Sequence, residues 1–355
     1  MNYLKQTSET YKYTRRTFLQ TSAITAAGIV VHGCGSNQQE PLVKIFHLPK
    51  HFSRRYGEFT ANICGAIAKQ VKQLKYQLNE GEWLEFVQKG NRVPPPLFTL
   101  EIRAENLSTG TNQLKIEATP GKGEPEITNL EFEYDPSPIQ LPVTLDWSTI
   151  DNRNLEVQDG YWETFAADGG WRVRPKPGFE DYDRLLAVTG AFPGGRRIET
   201  DVIFHGHIED RLYGFGVLPM WGGHPDQVGV SPRQGWNFGI AWYYSDDQGV
   251  GMEFGYKYGK DKPTWVSSYR NFDYQEGVRY LLIAECVPEL DEAGKHLRYR
   301  QRLKWHAAGE PEPDQWMELT DTEGAPLPPG EYAVGLVAHR CQVDFGSVTV
   351  TSIEG

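Results

Sequence analysis

The feature that most constrains this chain is an alternation of apolar and polar side chains that recurs from about residue 42 onward. In residues 297–305, for example, every second position holds Leu, Tyr, Gln or Trp, and the positions between them hold Arg or Lys. Successive side chains of a β-strand point to opposite faces of the sheet, so a period of two is typical of strands. Outside the first 33 residues, no stretch of twelve or more residues repeats apolar side chains with the helical period of 3.6. The chain is therefore predicted to be all-β.

The first 33 residues differ from the rest and resemble an export signal. Thr14-Arg15-Arg16-Thr17-Phe18-Leu19 is similar to the twin-arginine motif that the bacterial Tat translocase recognises, and an uncharged, modestly apolar run follows at 21–31. That run is shorter than the roughly 20 apolar residues of a membrane-spanning helix. Val31-His32-Gly33-Cys34 resembles a lipobox, in which Cys34 carries the lipid. The resemblances imply an exported protein held to a membrane of the cell envelope, in the periplasm or at the cell surface, by a lipid anchor.

The remaining sequence is predicted to form two β-sandwich domains. Residues 34–41 are a short polar linker, and residues 42–136 contain short alternating segments separated by turn residues, which predicts a first sandwich of about 100 residues. Residues 137–155 begin with a proline-containing stretch that forms a stiff linker. Residues 156–355 again consist of strand-like segments and are predicted to form a jelly-roll sandwich of two antiparallel sheets.

Both predicted domains resemble known families. The order Tyr-x-Leu-Asn-x-Gly at 76–81, followed by Leu-x-x-Gly-Thr-Asn at 107–112, resembles bacterial immunoglobulin-like modules that accompany carbohydrate-active domains. In the second domain, Asp-Gly-Tyr-Trp at 159–162 and Val-Asp-Phe-Gly-Ser-Val-x-Val at 343–350 are similar to the concanavalin A-like lectin/glucanase superfamily, including its laminin-G-type members. That superfamily contains lectins, glycan-binding modules, glucanases and lyases, so the resemblance implies a carbohydrate partner without deciding between binding and catalysis.

The charge of the chain argues against a nucleic-acid partner. The formal net charge is −11, and removal of residues 1–33, which hold four basic residues and one acidic residue, leaves a charge near −14. Nucleic-acid binding depends on a basic surface that neutralises phosphates. The acidity is therefore interpreted mainly as a contribution to solubility.

The four cysteines allow at most one disulfide if Cys34 carries lipid. Cys64, Cys286 and Cys341 then remain, and the last two close apolar strands in the second half of the chain, which makes them the plausible pair. No Cys-x-x-Cys and no zinc-like spacing is present, so neither a metal nor another cofactor is expected.

One strand, predicted over 198–209, carries the candidate catalytic residues. Glu199, Asp201 and His205 share a face, and Glu-x-Asp is how the glucanases of the resembled superfamily begin their catalytic motif. Retaining glycoside hydrolysis needs two carboxyl groups about 5–5.5 Å apart, one as nucleophile and one as acid. Ile203 and Phe204 stand where the third carboxylate of the glucanase motif would lie. No catalytic residue is therefore predicted, and Glu199, Asp201 and His205 remain the candidates if the protein is a hydrolase or lyase.

The same face also offers a metal-binding alternative. His205 and His207 lie two residues apart, together with Asp201 and Glu209, and imidazole and carboxylate groups can bind transition metals. A polar face whose histidines are hydrogen-bonded to their neighbours is the favoured interpretation.

The loop after this strand is the predicted ligand site. Sugar rings stack on aromatic faces, and their hydroxyl groups need planar hydrogen-bonding side chains. The loop and the strand after it supply both types, in Trp221, His224, Asp226, Arg233, Gln234 and Trp236. Trp242, further along that strand, is predicted to belong to the core of the sandwich.

A basic strip suggests a second surface for a ligand. Its members alternate with apolar residues on one strand and are Arg298, Arg300, Arg302 and Lys304. The strip would suit an acidic polysaccharide, but a solvated outer face is the favoured interpretation. The sequence thus predicts an exported, lipid-anchored protein that binds a polysaccharide or another glycan. A glycoside hydrolase or polysaccharide lyase, and a structural envelope protein without a glycan ligand, are the alternatives.

Overall fold

The structure is a computed structural model that describes most of the chain after residue 39. The described residues are 40–53, 60–88, 93, 95–137, 139–152, 155–180, 182–208, 212–225, 231–246, 249–259, 262–269, 274–318 and 327–354. The predicted export motif at Arg15 and Arg16 and the predicted lipidation site at Cys34 lie outside these residues. None of the described residues belongs to a helix long and apolar enough to cross a membrane.

The first part of the described chain is a sandwich of two sheets, here called the N-terminal sandwich. Its strands are β1 (Val43–His47), β2 (His51–Ser53), β3 (Thr60–Ile67), β4 (Val71–Leu78), β5 (Leu84–Glu85), β6 (Leu97–Arg103), β7 (Gly110–Pro120) and β8 (Glu126–Asp135), with a 3₁₀ turn at Ala104–Asn106. Strands β1-β3-β6 form one sheet and β2-β8-β7-β4-β5 the other. The turn that follows β4 contains Asn79 at a φ of 52°, a left-handed conformation that asparagine tolerates better than most residues.

The second part is a larger sandwich, here called the C-terminal sandwich. Its strands are β9 (Val143–Leu145), β10 (Glu156–Asp159), β11 (Trp162–Ala167), β12 (Gly170–Pro175), β13 (Asp183–Ala187), β14 (Gly195–His207), β15 (Tyr213–Trp221), β16 (Phe238–Asp246), β17 (Gly249–Lys257), β18 (Thr264–Tyr269), β19 (Arg279–Leu290), β20 (His296–Ala307), β21 (Met317–Glu318), β22 (Ala333–His339), β23 (Cys341–Phe345) and β24 (Val348–Ile353).

These strands form a seven-stranded and a nine-stranded sheet. The seven-stranded sheet has the order β10-β13-β22-β15-β16-β17-β18. The nine-stranded sheet has the order β11-β12-β23-β14-β19-β20-β21, with β24 pairing with both β14 and β9. All pairings within the two sheets are antiparallel. The long strand β14 is central, because it pairs with β19 on one side and with β23 and β24 on the other.

The core between the two sheets follows from the alternation in the sequence. On β14, Ile198, Val202 and Phe204 are buried in the main hydrophobic cluster, where they join Phe215 and Val217 of β15. Glu199 and Asp201, between them on the strand, belong to the opposite face. Burial of each large apolar side chain contributes about 1.5–3 kcal/mol, so this cluster is the chief source of stability for the C-terminal sandwich.

A second hydrophobic cluster joins the two sandwiches. Ile63 and Phe98 of the N-terminal sandwich belong to the same buried cluster as Leu185 and Leu218 on the outer face of the seven-stranded sheet. The side-chain amide of Asn62 adds hydrogen bonds of 3.0 and 2.9 Å to the carbonyl oxygens of residues 157 and 158 in β10. Residues 41–355 consequently form one compact unit.

The fold class predicted from the sequence is confirmed. The described residues form β-sandwich sheets and contain no α-helix. The domain boundaries proposed at residues 136 and 156 stay a prediction.

The predicted pairing of Cys286 with Cys341 was wrong. Both thiols are free and buried, as is the thiol of Cys64. Cys286 lies opposite Arg196 at one end of β14, whereas Cys341 lies opposite His207 at the other end. Eleven residues of strand separate these positions, or roughly 36 Å at about 3.3 Å per residue. A disulfide needs Cα atoms less than about 7 Å apart. The period of two in the sequence does not reveal at which end of a sheet each strand places its cysteine.

Candidate functional site

The structure buries the loop that the sequence analysis selected as a ligand site. Trp221 is 0% exposed, and Trp236, His224 and Arg233 are also buried. Gln234 is partly exposed, and Asp226 lies outside the described residues. Trp221 and Trp236 pack edge to face, with ring centroids 6.0 Å apart. The exposed stacking platform expected from Trp221 and Trp236 is therefore corrected, because neither ring presents a free face to a ligand.

The polar groups of this loop are instead bonded within the protein, and one of these bonds joins the two sandwiches. The indole nitrogen of Trp236 donates to Asp159 of β10 at 2.5 Å, and a ring nitrogen of His224 lies 2.6 Å from the carbonyl oxygen of Gly235. The main-chain nitrogen of Arg233 donates to Glu101 of the N-terminal sandwich at 2.9 Å. Aromatic and planar polar side chains occur in buried contacts within a protein as well as in sugar-binding sites, and residue type alone does not distinguish the two.

The Glu199–His205 face is held by a network of ion pairs. Arg172 of β12 contacts Asp201 at 2.5 Å, and Arg279 contacts the second oxygen of the same carboxylate at 2.9 Å. Arg172 and His205 both also contact the buried carboxylate of Asp344. Partial burial lowers the pKa of His205, and the charges of Arg172 and of a further arginine on β12 lower it further. The network explains why a charged face next to the core is tolerated, since buried charges require partners.

This network leaves little freedom for catalysis by the runner-up residues. Both oxygens of Asp201 are engaged by arginines, and Glu199, which is half-exposed, is paired with Arg197 at 2.6 Å. A depression of about 370 Å³ lies on this face, bordered by side chains that include Glu199 and Glu312.

The metal alternative also finds no support on this face. His207 stacks on Tyr213, with centroids 4.9 Å apart and planes 7° apart, while Glu209 lies outside the described residues. Within the described ranges, no three His, Cys, Asp or Glu side chains gather in a geometry able to hold a metal ion.

The basic strip on β20 is matched by acidic side chains. Arg298 lies 2.6 Å from Glu289, Arg302 lies 2.5 Å from Glu285, and Lys304 lies 2.7 Å from Glu312. Cross-strand pairs of this kind support a sheet surface, each with a modest contribution. Three of the four basic side chains of the strip are thus paired with glutamates, while its favoured interpretation as a solvated outer face stays a prediction.

A row of aromatic side chains crosses the outer face of the seven-stranded sheet. We call Tyr182, His339, Tyr244 and Trp265 the aromatic row. Its consecutive ring centroids lie 5.6, 6.5 and 6.4 Å apart. Tyr182 at one end is 45% exposed and Trp265 at the other end is 47% exposed. His339, between them, is buried, so the row presents rings to solvent chiefly at its two ends.

Trp242 supports the row from within. This side chain is 5% exposed, and its ring lies 4.7 Å from Tyr244 and 5.8 Å from Trp265, nearly parallel to both. The prediction that Trp242 is buried holds, but its ring belongs to the outer face of the sheet and to the cluster shared with the N-terminal sandwich. It does not lie in the core between the two sheets.

Glycines on the neighbouring strands make room for these rings. A Cβ atom on Gly214 of β15 would lie 2.8 Å from the Tyr244 ring and 2.9 Å from the Trp242 ring, and a Cβ on Gly255 of β17 would collide with Trp265. Real Cβ contacts are essentially never this close. Side chains normally project away from the plane of a sheet. Because glycine has no side chain, an aromatic ring can lie over the backbone of a glycine on the next strand.

Polar groups border the row at the Tyr182 end. Asp183 lies 2.5 Å from His339, its cross-strand partner, and the Arg340 guanidinium lies 5.3 Å from the Tyr182 ring centroid. The row thus combines ring faces with hydrogen-bonding groups at its edge. Such a surface can hold a ligand that has C–H groups on one side and hydroxyl groups around its rim, since the π face of an aromatic ring is electronegative.

The sequence predicts a buried position for Trp242, beside the row, but it selects none of the four rings of the row as a ligand site. The available signal was the pairing of glycine-rich strands, Gly-Phe-Gly at 214–216 and Gly-Tyr-Lys-Tyr-Gly at 255–259, with aromatic ones. This signal can be interpreted only when it is known which strands are neighbours in the sheet.

No protein-family model matches the chain, and no curated protein matches it. Among solved structures, it is similar to the carbohydrate-binding module CBM66 from Bacillus subtilis, with 15% identity over 57% of this chain and 98% of that chain and a TM-score of 0.32. It is also similar to the exoplasmic/lumenal domain of VIP36 in its Ca²⁺/Man3GlcNAc-bound form, with 13% identity over 55% and 84% of the two chains and a TM-score of 0.36. The carbohydrate recognition domain of Emp47p matches with 13% identity over 54% and 88% and a TM-score of 0.34. At these scores the likenesses carry no argument about this chain.

Proposed function

We propose that the protein binds carbohydrate through the aromatic row of its C-terminal sandwich. The observation that carries the proposal is the line of rings from Tyr182 to Trp265, exposed at both ends and laid over glycine backbone. One face of a sugar ring is rich in C–H groups and packs on an aromatic face, while its hydroxyl groups require hydrogen-bonding side chains beside the ring. The Asp183–His339 pair supplies such groups at the edge of the row.

Binding is favoured over hydrolysis or lysis because the candidate catalytic carboxylates take part in ion pairs. The two oxygens of Asp201 are engaged by Arg172 and Arg279, and Glu199 is paired with Arg197. The aromatic row lies on the other sheet, so a chain bound there would not lie against Asp201.

Replacement of Trp265 with alanine tests the proposal directly. The half-exposed ring contributes stacking of about 0.5–1.5 kcal/mol beyond its buried area, so Trp265→Ala should weaken carbohydrate binding about tenfold. A glycan array with the wild-type protein would identify the ligand, and titration calorimetry would then compare the two proteins. Trp171→Ala is the matched control, because Trp171 is 44% exposed but belongs to the nine-stranded sheet. Equal affinity of the wild-type and Trp265→Ala proteins for the array ligand would refute the assignment of the site.

The cellular location of the protein is part of the same proposal. We infer export by the Tat translocase from Arg15 and Arg16, and attachment to a membrane of the envelope through a lipid on Cys34. A carbohydrate-binding surface on an anchored protein would meet polysaccharides at or near the cell surface. The supporting observation is the sequence pattern alone, since residues 1–39 lie outside the described part of the chain.

Substitutions in the signal region should separate export from lipidation. Changing Arg15 and Arg16 together to lysine should leave the precursor in the cytoplasm, whereas Cys34→Ala should abolish incorporation of labelled palmitate. Lys12→Gln removes a positive charge outside the Arg-Arg pair and should change neither result. Export that continues in the double lysine variant would exclude the twin-arginine route, and exported wild-type protein without label would exclude the lipid anchor.

A further inference from the structure

A single residue, Arg340, joins the two sheets of the C-terminal sandwich at the Tyr182 end of the aromatic row. It lies between β22, which ends at His339 in the seven-stranded sheet, and β23, which begins at Cys341 in the nine-stranded sheet. Its φ of 52° lies in the left-handed region. Its carbonyl oxygen accepts a hydrogen bond of 3.2 Å from the main-chain nitrogen of Ile208. The left-handed conformation therefore belongs to the turn by which the chain changes sheet.

Arginine is an unfavourable residue for this conformation. In the left-handed region the Cβ atom lies close to the following carbonyl oxygen, a contact that glycine lacks and that the short polar side chain of asparagine can offset. Asn79, the other non-glycine residue with a positive φ among the described residues, follows this preference. Arg340 does not follow it. Strained backbone of this kind is concentrated at functional sites, so the Arg340 side chain is a candidate for a specific role.

The guanidinium group of Arg340 is also unusual in its surroundings. Every other arginine of the described residues forms a hydrogen bond or an ion pair within the protein. Arg340 forms neither with the described part of the chain, and its partly exposed guanidinium lies 5.3 Å from the centroid of the Tyr182 ring. A guanidinium stacked on a ring keeps its N–H groups free at its rim, in a fork that matches a carboxylate.

The charged groups beside Tyr182 are already engaged with one another. Asp183 lies 2.5 Å from His339, and Arg184 donates to the main-chain carbonyl oxygen of Asp183 at 2.7 Å. Tyr182 itself is 45% exposed. An exposed ring beside an available guanidinium suits a sugar that carries a negative charge, because the ring packs against C–H groups while the guanidinium binds the anionic group.

We propose that the Tyr182 end of the row recognises an acidic sugar unit, whose carboxylate or sulfate group is bound by Arg340. The inference rests on the proposed carbohydrate-binding function and names its ligand class, an acidic polysaccharide. The protein has a formal net charge of −11, so its overall field repels a polyanion. Affinity for the acidic chain must then come from a local cation such as Arg340.

Pairs of polysaccharides that differ mainly in charge test the proposal. The wild-type protein would be titrated with polygalacturonate and its methyl ester, with alginate and hyaluronan and their carboxyl-reduced forms, and with dextran sulfate and dextran. We expect the acidic member of at least one pair to bind about tenfold more tightly than its neutral counterpart, because a charge-assisted hydrogen bond is roughly twice as strong as a neutral one. A preference confined to the uronates would identify a carboxylate as the recognised group, and one confined to dextran sulfate would identify a sulfate.

Arg340→Asn removes the guanidinium and suits the turn. Because asparagine adopts the left-handed conformation more readily than arginine, this variant should melt at the wild-type temperature or above it. Its affinity for the acidic ligand should fall about tenfold, to that of the neutral counterpart, while its affinity for the neutral counterpart stays unchanged. Arg340→Lys keeps the charge without the planar fork and should be intermediate. Arg298→Asn removes a positive charge from the nine-stranded sheet and should change neither affinity.

The outcomes separate this inference from the function on which it rests. Binding without preference for the acidic member of any pair, or glycan-array ligands that are all neutral, would overturn the role of Arg340 while carbohydrate binding stands. An unchanged preference in Arg340→Asn, or an equal loss for acidic and neutral ligands, would overturn it as well. If Arg340→Asn does not fold, the wild-type comparison and Arg340→Lys decide. A wild-type protein that binds no carbohydrate, charged or neutral, would overturn the proposed function and the inference together.

Discussion

Replacing Arg196 with leucine should prevent the C-terminal sandwich from folding stably, with a loss on the order of 3–5 kcal/mol in the free energy of unfolding. The Arg196 side chain is 0% exposed, and its recorded acceptors are all main-chain carbonyl oxygens. They belong to Phe192, Gly194, Pro219 and Tyr332, at 3.3, 2.6, 3.3 and 3.0 Å. Leucine fills much of the space but donates nothing. The carbonyl oxygens of Phe192 and Tyr332 would still accept from each other's main-chain nitrogen, so the loss falls mainly on Gly194 and Pro219. A buried carbonyl left without a donor costs about 1–3 kcal/mol.

Urea denaturation of the purified variant would measure this loss. Arg298→Leu is the control, because Arg298 is partly exposed and paired with Glu289, and removal of a surface pair of this kind costs about 1 kcal/mol or less. If Arg196→Leu does not accumulate as folded protein, Arg196→Lys keeps the charge and one donor group and should be intermediate in stability. A leucine variant as stable as Arg298→Leu would show that the four carbonyl groups do not depend on the guanidinium.

Removing the Trp242 ring should cost about 3–5 kcal/mol of stability, the usual loss for a large buried aromatic side chain. Trp242 is buried against the rings of Tyr244 and Trp265, and a Cβ atom added to Gly214 or Gly216 would collide with it. Alanine would leave a cavity under both neighbouring rings. The aromatic row should therefore lose its carbohydrate affinity in any Trp242→Ala protein that still folds.

Thermal melting and ligand titration together show whether Trp242 holds the row in place or contacts the carbohydrate directly. Trp242→Phe keeps a ring in the gap and should recover most of the stability and most of the binding. Trp265→Ala, by contrast, should lose binding while its melting temperature changes little, because that ring is half-exposed. If Trp242→Ala melts with the wild type, the ring does not hold the row in place.

The alternation in the sequence predicted the strands and their faces well. On β14, the apolar residues Ile198, Val202 and Phe204 entered the core, and Glu199 and Asp201 took the other face, as the period of two requires. The same alternation places Phe238 and Trp242 on one face of β16. Local pattern is sufficient for such assignments because a strand determines the direction of its own side chains.

Which residues cover each face of a sheet depends on segments that are distant in the sequence, and a local pattern carries no information about them. The N-terminal sandwich covers part of the outer face of the seven-stranded sheet, so Trp221 and Trp236 are buried where the sequence suggested an exposed loop. Arg196 is likewise buried through distant segments, since its acceptors come from residues 219 and 332 as well as from its own segment. The Trp265 ring packs against Gly255 of β17, and this contact exists only because β17 pairs with β18.

The three free thiols bear on how the protein is made. Burial raises the pKa of Cys64 and Cys286 to about 12, so both remain protonated and unreactive at any physiological pH. Among the described residues no disulfide has to form, so this part of the chain needs neither an oxidase nor a disulfide isomerase. It can therefore fold in a reducing compartment before a translocase that accepts folded cargo receives it.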